Sequence, residues 1–361
     1  MLKLNKFIRF ILFLLITYHL PLLTGSLPLL YAGFDDTGIS ARVFGMGNTF
    51  IALSDDVNAM YYNPAGLAQL NQSAFGICVG MPWTGLGKDN ELEKDTLANN
   101  VISFNYPIKN NIVLGLGMNI LSLGSYYKEN TLIVSGSKKI NNKLMFGLNI
   151  KSLSLTYGSD NYTAENPLFI EKGYTKSGLS ADIGGIYGIN EKIKIGFVLN
   201  DILQPDMGLK QVDKIPLGIK LGGLYTTGTL NNLVDIISKG NKFSLQLGIE
   251  KWFNQFAVRG GFGFGNQEYK NISLGASYKI ASVLSGLSID YGFSLPLGGI
   301  SGTIGSHNFN VILQFGKSEK EVKKQVKTQV IEQKQVIPEK KLEQKTVPVK
   351  TEKIKQPGTK K

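Results

Sequence analysis

The sequence predicts an all-β protein: a transmembrane antiparallel β-barrel of about 14 strands, with a short N-terminal helical plug in the lumen and a disordered C-terminal tail. Three observations lead there. Apolar residues alternate with small polar ones over segments of about ten residues, which is the period of a strand with two unlike faces. Glycine is abundant: of 42 glycines only Gly25 and Gly358 lie outside residues 33–316, a level that argues against long helices. Short and long connections also follow one another along the chain, as in barrels with tight turns on one side and loops on the other.

The chain opens with Lys3, Lys6 and Arg9 ahead of an apolar run from Phe10 to Ile16, and Ala32 offers a cleavage point. This is the pattern of a secretory signal peptide, residues 1–32, and Pro21 and Pro28 interrupt any continuous membrane helix. At the other end, residues 317–361 carry 14 Lys and 6 Glu with no aromatic residue, so they cannot bury enough apolar surface to order themselves. The tail therefore holds 14 − 6 = +8 and the signal +3 of the formal +12, leaving +1 on residues 33–316. That near-neutral body excludes nucleic acid as its partner. The tail is suited to cell-wall or anionic-lipid contact.

Between these ends the alternation is regular. Ile272, Leu274, Ala276, Tyr278 and Ile280 share one face, opposite Ser273, Gly275, Ser277 and Lys279. Leu287, Ile289, Tyr291, Phe293 and Leu295 repeat the pattern, as do Phe309, Val311, Leu313 and Phe315 in the last segment. The polar face is Gly, Ser and Asn rather than the Lys and Glu that coat a soluble sheet, so the apolar face is expected to meet outer-membrane lipid. Tyr106, Tyr157, Tyr187, Trp252 and Phe315 are expected to form the interfacial aromatic girdles. Tight turns are expected at Asn110-Asn111, Asn141-Asn142, Asn190-Glu191 and Asn254-Gln255, and longer connections at 82–97, 124–130, 158–175 and 200–213. Strict alternation of short and long connections, and an even strand count, require one further weak strand from Leu230 to Ile237. Residues 73–316 are then the barrel, and both its ends and the tail face the periplasm.

Little here suggests catalysis. The histidines are His19 and His307, and the one cysteine is Cys78. A single His and Cys in the body cannot build a familiar zinc site. GGFGFG at 260–265 lacks the register of a dinucleotide loop and sits in an alternating segment. Asp182, Asp201, Glu250 and Asp290 could face a lumen, but their spacing gives no reason to pair them. No enzymatic activity, metal or cofactor is expected.

Residues 33–72 break the alternation and read as a plug or hatch. Gly45 and Gly47 flank Met46 and precede Asn48, permitting close approaches that a side chain would block. Ser54 is placed to cap a short helix over residues 55–60, with Asp55 and Asp56 as partners of its dipole. Asn63 is placed to cap a second, with Pro64 at its first position and Ala65 and Gly66 following. One Asn-Pro-Ala without apolar helices excludes an aquaporin. The whole stretch, GMGN, then ALSDD, then AMYYNPAGLA with Tyr61 and Tyr62, resembles the N-terminal signature of PorV/PorQ-type outer-membrane proteins. These are relatives of the FadL-like barrels. LGIEKWFNQFAVRGGFGF at 247–264 resembles the family's paired strands, and 287–316 its closing hairpin.

The resemblance implies a 14-stranded barrel with residues 41–70 as gate, and two functions. One is FadL-like passage of hydrophobic or amphipathic small molecules. The other is a PorV-like role, as cargo shuttle or assembly partner, among the subunits of a type IX secretion system.

Overall fold

The computed structural model describes residues 33–35, 38–86, 97–283 and 285–316; the expected signal peptide and the Lys-rich tail lie outside the described residues. Fourteen strands make one closed antiparallel barrel in which every strand pairs with its neighbours in sequence. In chain order they are β1 (Ser73–Met81), β2 (Leu97–Ile108), β3 (Ile112–Leu123), β4 (Tyr127–Lys139), β5 (Leu144–Tyr157), β6 (Thr175–Gly188) and β7 (Ile193–Asn200). The second half holds β8 (Gly218–Thr227), β9 (Leu230–Lys239), β10 (Lys242–Phe253), β11 (Phe256–Gly265), β12 (Lys270–Ile280), β13 (Gly286–Pro296) and β14 (Ser306–Phe315). The expected weak strand is present as β9. The seam pairs Ser73 with Phe315 and Met81 with His307, which leaves no free sheet edge where the chain closes.

The faces follow the sequence alternation. Outward, Ile102, Leu114, Leu116, Leu132, Val134 and Ile150 are exposed; inward, Ser103, Asn105, Ser135, Ser137 and Asn149 are buried. An apolar exterior around a polar, filled interior inverts the soluble pattern and fits a hydrocarbon solvent, in which closed sheets satisfy every backbone group. No helix among the described residues is long and apolar enough to cross a membrane.

Tight turns fall where expected. Asn110, Asn111 and Asn254 take positive φ, 66°, 58° and 55°, the left-handed conformation that two-residue hairpins require and Asn tolerates. Three expectations need correction. Short and long connections do not alternate strictly: β9 and β10, on the long-loop side, are joined by Gly240 and Asn241 alone, with Gly240 at φ 58°. The connection placed at 124–130 shrinks to 124–126, because Tyr127 to Asn130 continue the ladder with β3. Tyr157 and Trp252 are not girdle residues. Their positions put them on the lumen face, Tyr157 packing with an inward apolar cluster and Trp252 beneath Arg259 and Lys279. Aromatic residues near strand ends occur on both faces, and only parity with the buried positions separates them.

Candidate functional site

The lumen is occupied by residues 38–70, which hold most of the largest buried apolar cluster, including Met46, Phe50, Leu53, Met60, Tyr62 and Leu67. The segment folds as α1 (Ala41–Phe44), α2 (Ala59–Tyr62) and a 3-10 helix (Pro64–Gln69), joined by tight turns. Asn63 caps the 3-10 helix as the sequence suggests: its Oδ1 accepts from Ala65 N at 3.1 Å, and Pro64 takes the first position. The helix expected over 55–60 does not start at Asp55; only Ala59 and Met60 of that range are helical, as the first residues of α2. Ser54 has φ 32° and donates its hydroxyl to Phe50 O at 2.8 Å, so it ends one turn instead of capping the next.

Glycines in the wall let the plug seat backbone on backbone. A Cβ at Gly261 would lie 2.1 Å from Gly47 N, and one at Gly147 would lie 2.3 Å from Ala65 N. On the plug side, a Cβ at Gly45 would lie 2.7 Å from the Gly275 backbone, and one at Gly47, which has φ 66°, 2.9 Å from Phe262 N. Gly66 faces its own segment, with Ser54 O 2.1 Å from where a Cβ would be. The wall contacts on Gly147, Gly196, Gly222, Gly248, Gly261 and Gly275 lie three to five residues in from the short-turn ends of their strands. These figures give much of the barrel's glycine content its physical reason.

Polar contacts then fix the register. The wall carboxylate of Asp235 accepts from Phe50 N (2.7 Å) and Ile51 N (3.1 Å). Asn149 donates to Met60 O at 2.8 Å, and Ser137 to Ala65 O at 3.1 Å. Tyr61 donates to Ile102 O at 2.8 Å, while the Tyr62 hydroxyl accepts from Ile39 N at 3.0 Å. Asn63 Nδ2 reaches both Ile51 O (2.8 Å) and Gly185 O (3.2 Å). Asn48 sits at φ 66° in the turn after Gly47, its amide N–H donating to Val43 O.

Asp55 and Asp56 are not helix-dipole partners. Both bind Arg42, at 2.6 and 3.0 Å, and the same guanidinium holds the wall's Glu250 through two bonds of 2.9 and 2.8 Å. Arg259 meets Glu250 from the other side at 2.8 Å and reaches Ser277, which in turn donates to Asp290. Two guanidiniums thus face four carboxylates between plug and wall. Burial pushes the Asp56 carboxyl up to about 6, although Arg42 pulls the other way.

A second cluster lies on the lumen face toward the long-loop side. Lys151 bridges Asp182 (2.7 Å) and Asp201 (2.5 Å), and Lys239 adds a 3.2 Å contact to Asp201. Burial opposes ionisation of Asp201, yet the two lysines hold it at about 2. The four acids that sequence spacing left unpaired are therefore brought together in pairs, Glu250 with Asp290 and Asp182 with Asp201, each pair through a cation. Arg42, Lys151 and Glu250's role as the plug's anchor were missed. For Lys151 and Glu250 the available signal was a charge at an inward-parity position of a strand; Arg42, in the plug, carried no such signal.

The closed 14-strand barrel with an inserted N-terminal segment defines the class: the fold is that of the FadL-type barrels of bacterial outer membranes. Compared by sequence, the chain matches no family model and no curated protein. Among solved structures it is similar to the Ralstonia pickettii toluene transporter TbuX, at 15% identity, over 78% of this chain and 99% of that one, with a TM-score of 0.57. It is similar also to a Pseudomonas aeruginosa FadL homologue, at 12% identity over 76% and 98%, TM-score 0.51. The Pseudomonas putida toluene transporter TodX matches at 11% identity over 77% and 97%, TM-score 0.51. At these identities the likeness is one of fold.

Proposed function

We propose that this chain is an outer-membrane barrel that passes hydrophobic or amphipathic small molecules, with residues 41–70 as its gate. The observation that carries the reading is that the lumen is shut by an apolar segment rather than by the wall. That segment is tied down by discrete hydrogen bonds and one charge cluster, so its release would open the barrel without breaking the ladder. TbuX and TodX, similar in fold, are toluene transporters, which agrees with this reading. In this proposal the short-turn end and the tail are periplasmic, the molecule has no enzymatic role, and lipid and a hydrophobic ligand are its partners. The test is uptake of labelled toluene and of a long-chain fatty acid by cells producing the intact chain or one lacking residues 41–70. Uptake no greater than in cells without the protein, for either form and either compound, would sink the proposal.

A second reading, PorV-like service in a type IX secretion system, draws on the short-turn rim. Lys109, Lys138, Lys143 and Lys192 are exposed there, and Glu191 is the one acid among the described residues of those turns. Such a rim suits an acidic periplasmic partner. Crosslinking in intact membranes separates the readings: recovery of secretion-machinery subunits favours this one, and recovery of the barrel with lipid alone rejects it.

A further inference from the structure

The barrel wall is uneven at β6. Its pairing with β5 runs from Thr175 to Tyr187, but its pairing with β7 covers only Ile183 to Gly188. The bond from Tyr157 N to Tyr174 O shows that even-numbered residues here turn their backbone groups toward β5. Odd-numbered residues turn theirs to the other side, where β7 has already ended. Ala181 O accepts from Ile202 N at 3.0 Å, but among the described residues the backbone N–H and C=O groups of Thr175, Ser177 and Leu179 find no hydrogen-bond partner. The connection 201–217 does not fill this edge, because it turns inward: Met207 and Ile215 pack in the lumen with Leu153 and Leu155.

The same region carries the five most exposed large apolar side chains among the described residues. They are Tyr162 (88%), Val212 (73%), Ile170 (70%), Leu179 (63%) and Leu203 (61%). They lie in the β5–β6 connection, on the outer half of β6 and in the β7–β8 connection. Lipid chains would cover these side chains but leave the backbone groups unsatisfied, which hydrocarbon does not tolerate. Water would satisfy the backbone but leave the side chains exposed as an apolar patch. An added polypeptide strand meets both needs, bonding the edge while packing alternate residues on the patch.

We propose that residues 175–181 of β6 are a docking edge for an extended strand of a partner polypeptide, with Leu179 and Leu203, the latter beside the Ile202–Ala181 bond, as its apolar seat. The proposal goes beyond small-molecule passage and does not depend on it.

The test uses the full chain in lipid nanodiscs and a fluorescent, Lys-flanked peptide of eight alternating Val and Thr residues. Saturable binding is expected, weakened by about tenfold or more in Ser177→Pro, which removes an edge N–H but none of the bonds to β5. The double variant Leu179→Lys/Leu203→Lys should weaken it comparably, and it decides the matter if Ser177→Pro fails to show the heat-shifted gel migration of a closed barrel. A peptide N-methylated on alternate residues should not bind, because it cannot form the ladder. Absence of saturable binding, or binding indifferent to both variants and to N-methylation, would overturn the proposal. So would concentration-dependent self-association of the chain that Ser177→Pro abolishes, since a second copy would then own the edge.

Discussion

At Arg42 a single guanidinium is buried between plug and wall, with two nitrogens on Glu250 and the third shared by Asp55 and Asp56. Removing one partner of such a buried group leaves the others uncompensated, at a cost of roughly 3–5 kcal/mol. Arg42→Met should therefore lower the barrel's thermal midpoint and raise uptake together, whereas Asp55→Asn, at a half-exposed carboxylate, should change either by little. Asp56 adds a pH dependence. Its carboxyl is raised in the folded state, so its contribution is full below the ordinary carboxylate range and is lost as pH rises through about 6. Thermal midpoints measured from pH 4 to 7 should fall across that window in the wild type and lose that component of the slope in Asp56→Asn. Asp201 has the opposite sign: held at about 2 by Lys151 and Lys239, it contributes above the ordinary carboxylate range and ceases to as pH falls through about 2.

At the scale of elements, the plug and the strands meet through glycine, and this makes the seat intolerant of any side chain. Gly261→Val would place a side chain against Gly47 N, and Gly147→Val against Ala65 N. Both variants should unseat the plug while the ladder on either side persists. Higher uptake with unchanged heat-shifted migration is the expected pair of results; loss of the shift would show that the plug is part of the barrel's folding core. Deleting residues 41–70 asks the same question more bluntly. It exposes the polar inner face to water, which Ser, Asn and Gly accept, so the barrel is expected to survive.

For the whole molecule, stability divides between two solvents. Leu116 lies on the outward face and Gly117 on the inward one, with Tyr61 and Met60 beside it. Leu116→Arg should cost roughly 2–4 kcal/mol in a bilayer if the residue sits near the midplane. The penalty should shrink in detergent of shorter chain length, read by chemical denaturation in each. A charge at an inward position faces a different penalty, set by the plug instead of the lipid.

How far the chain could be read depended on whether a feature was local. Alternation is local, so β1 and β3 have in the structure the bounds that the expected turns and connections left them, and even the weak β9 followed from counting turns. Asn63 with Pro64 is local too, since cap and capped N–H are two residues apart. Asp55 and Asp56 were misread because their partner, Arg42, is thirteen and fourteen residues away in sequence, on another turn, and its other partner, Glu250, is 208 residues from it. Tyr157 and Trp252 were misassigned to the girdle because nearness to a strand end does not fix the face, which parity with the buried positions sets. The sequence by itself determined a lipid-facing barrel and marked the stretch that leaves it, through period and composition alone. Only the tertiary structure decided what that stretch rests on, because the ion pairs and backbone contacts that seat it join residues that closure of fourteen strands brings together across the lumen.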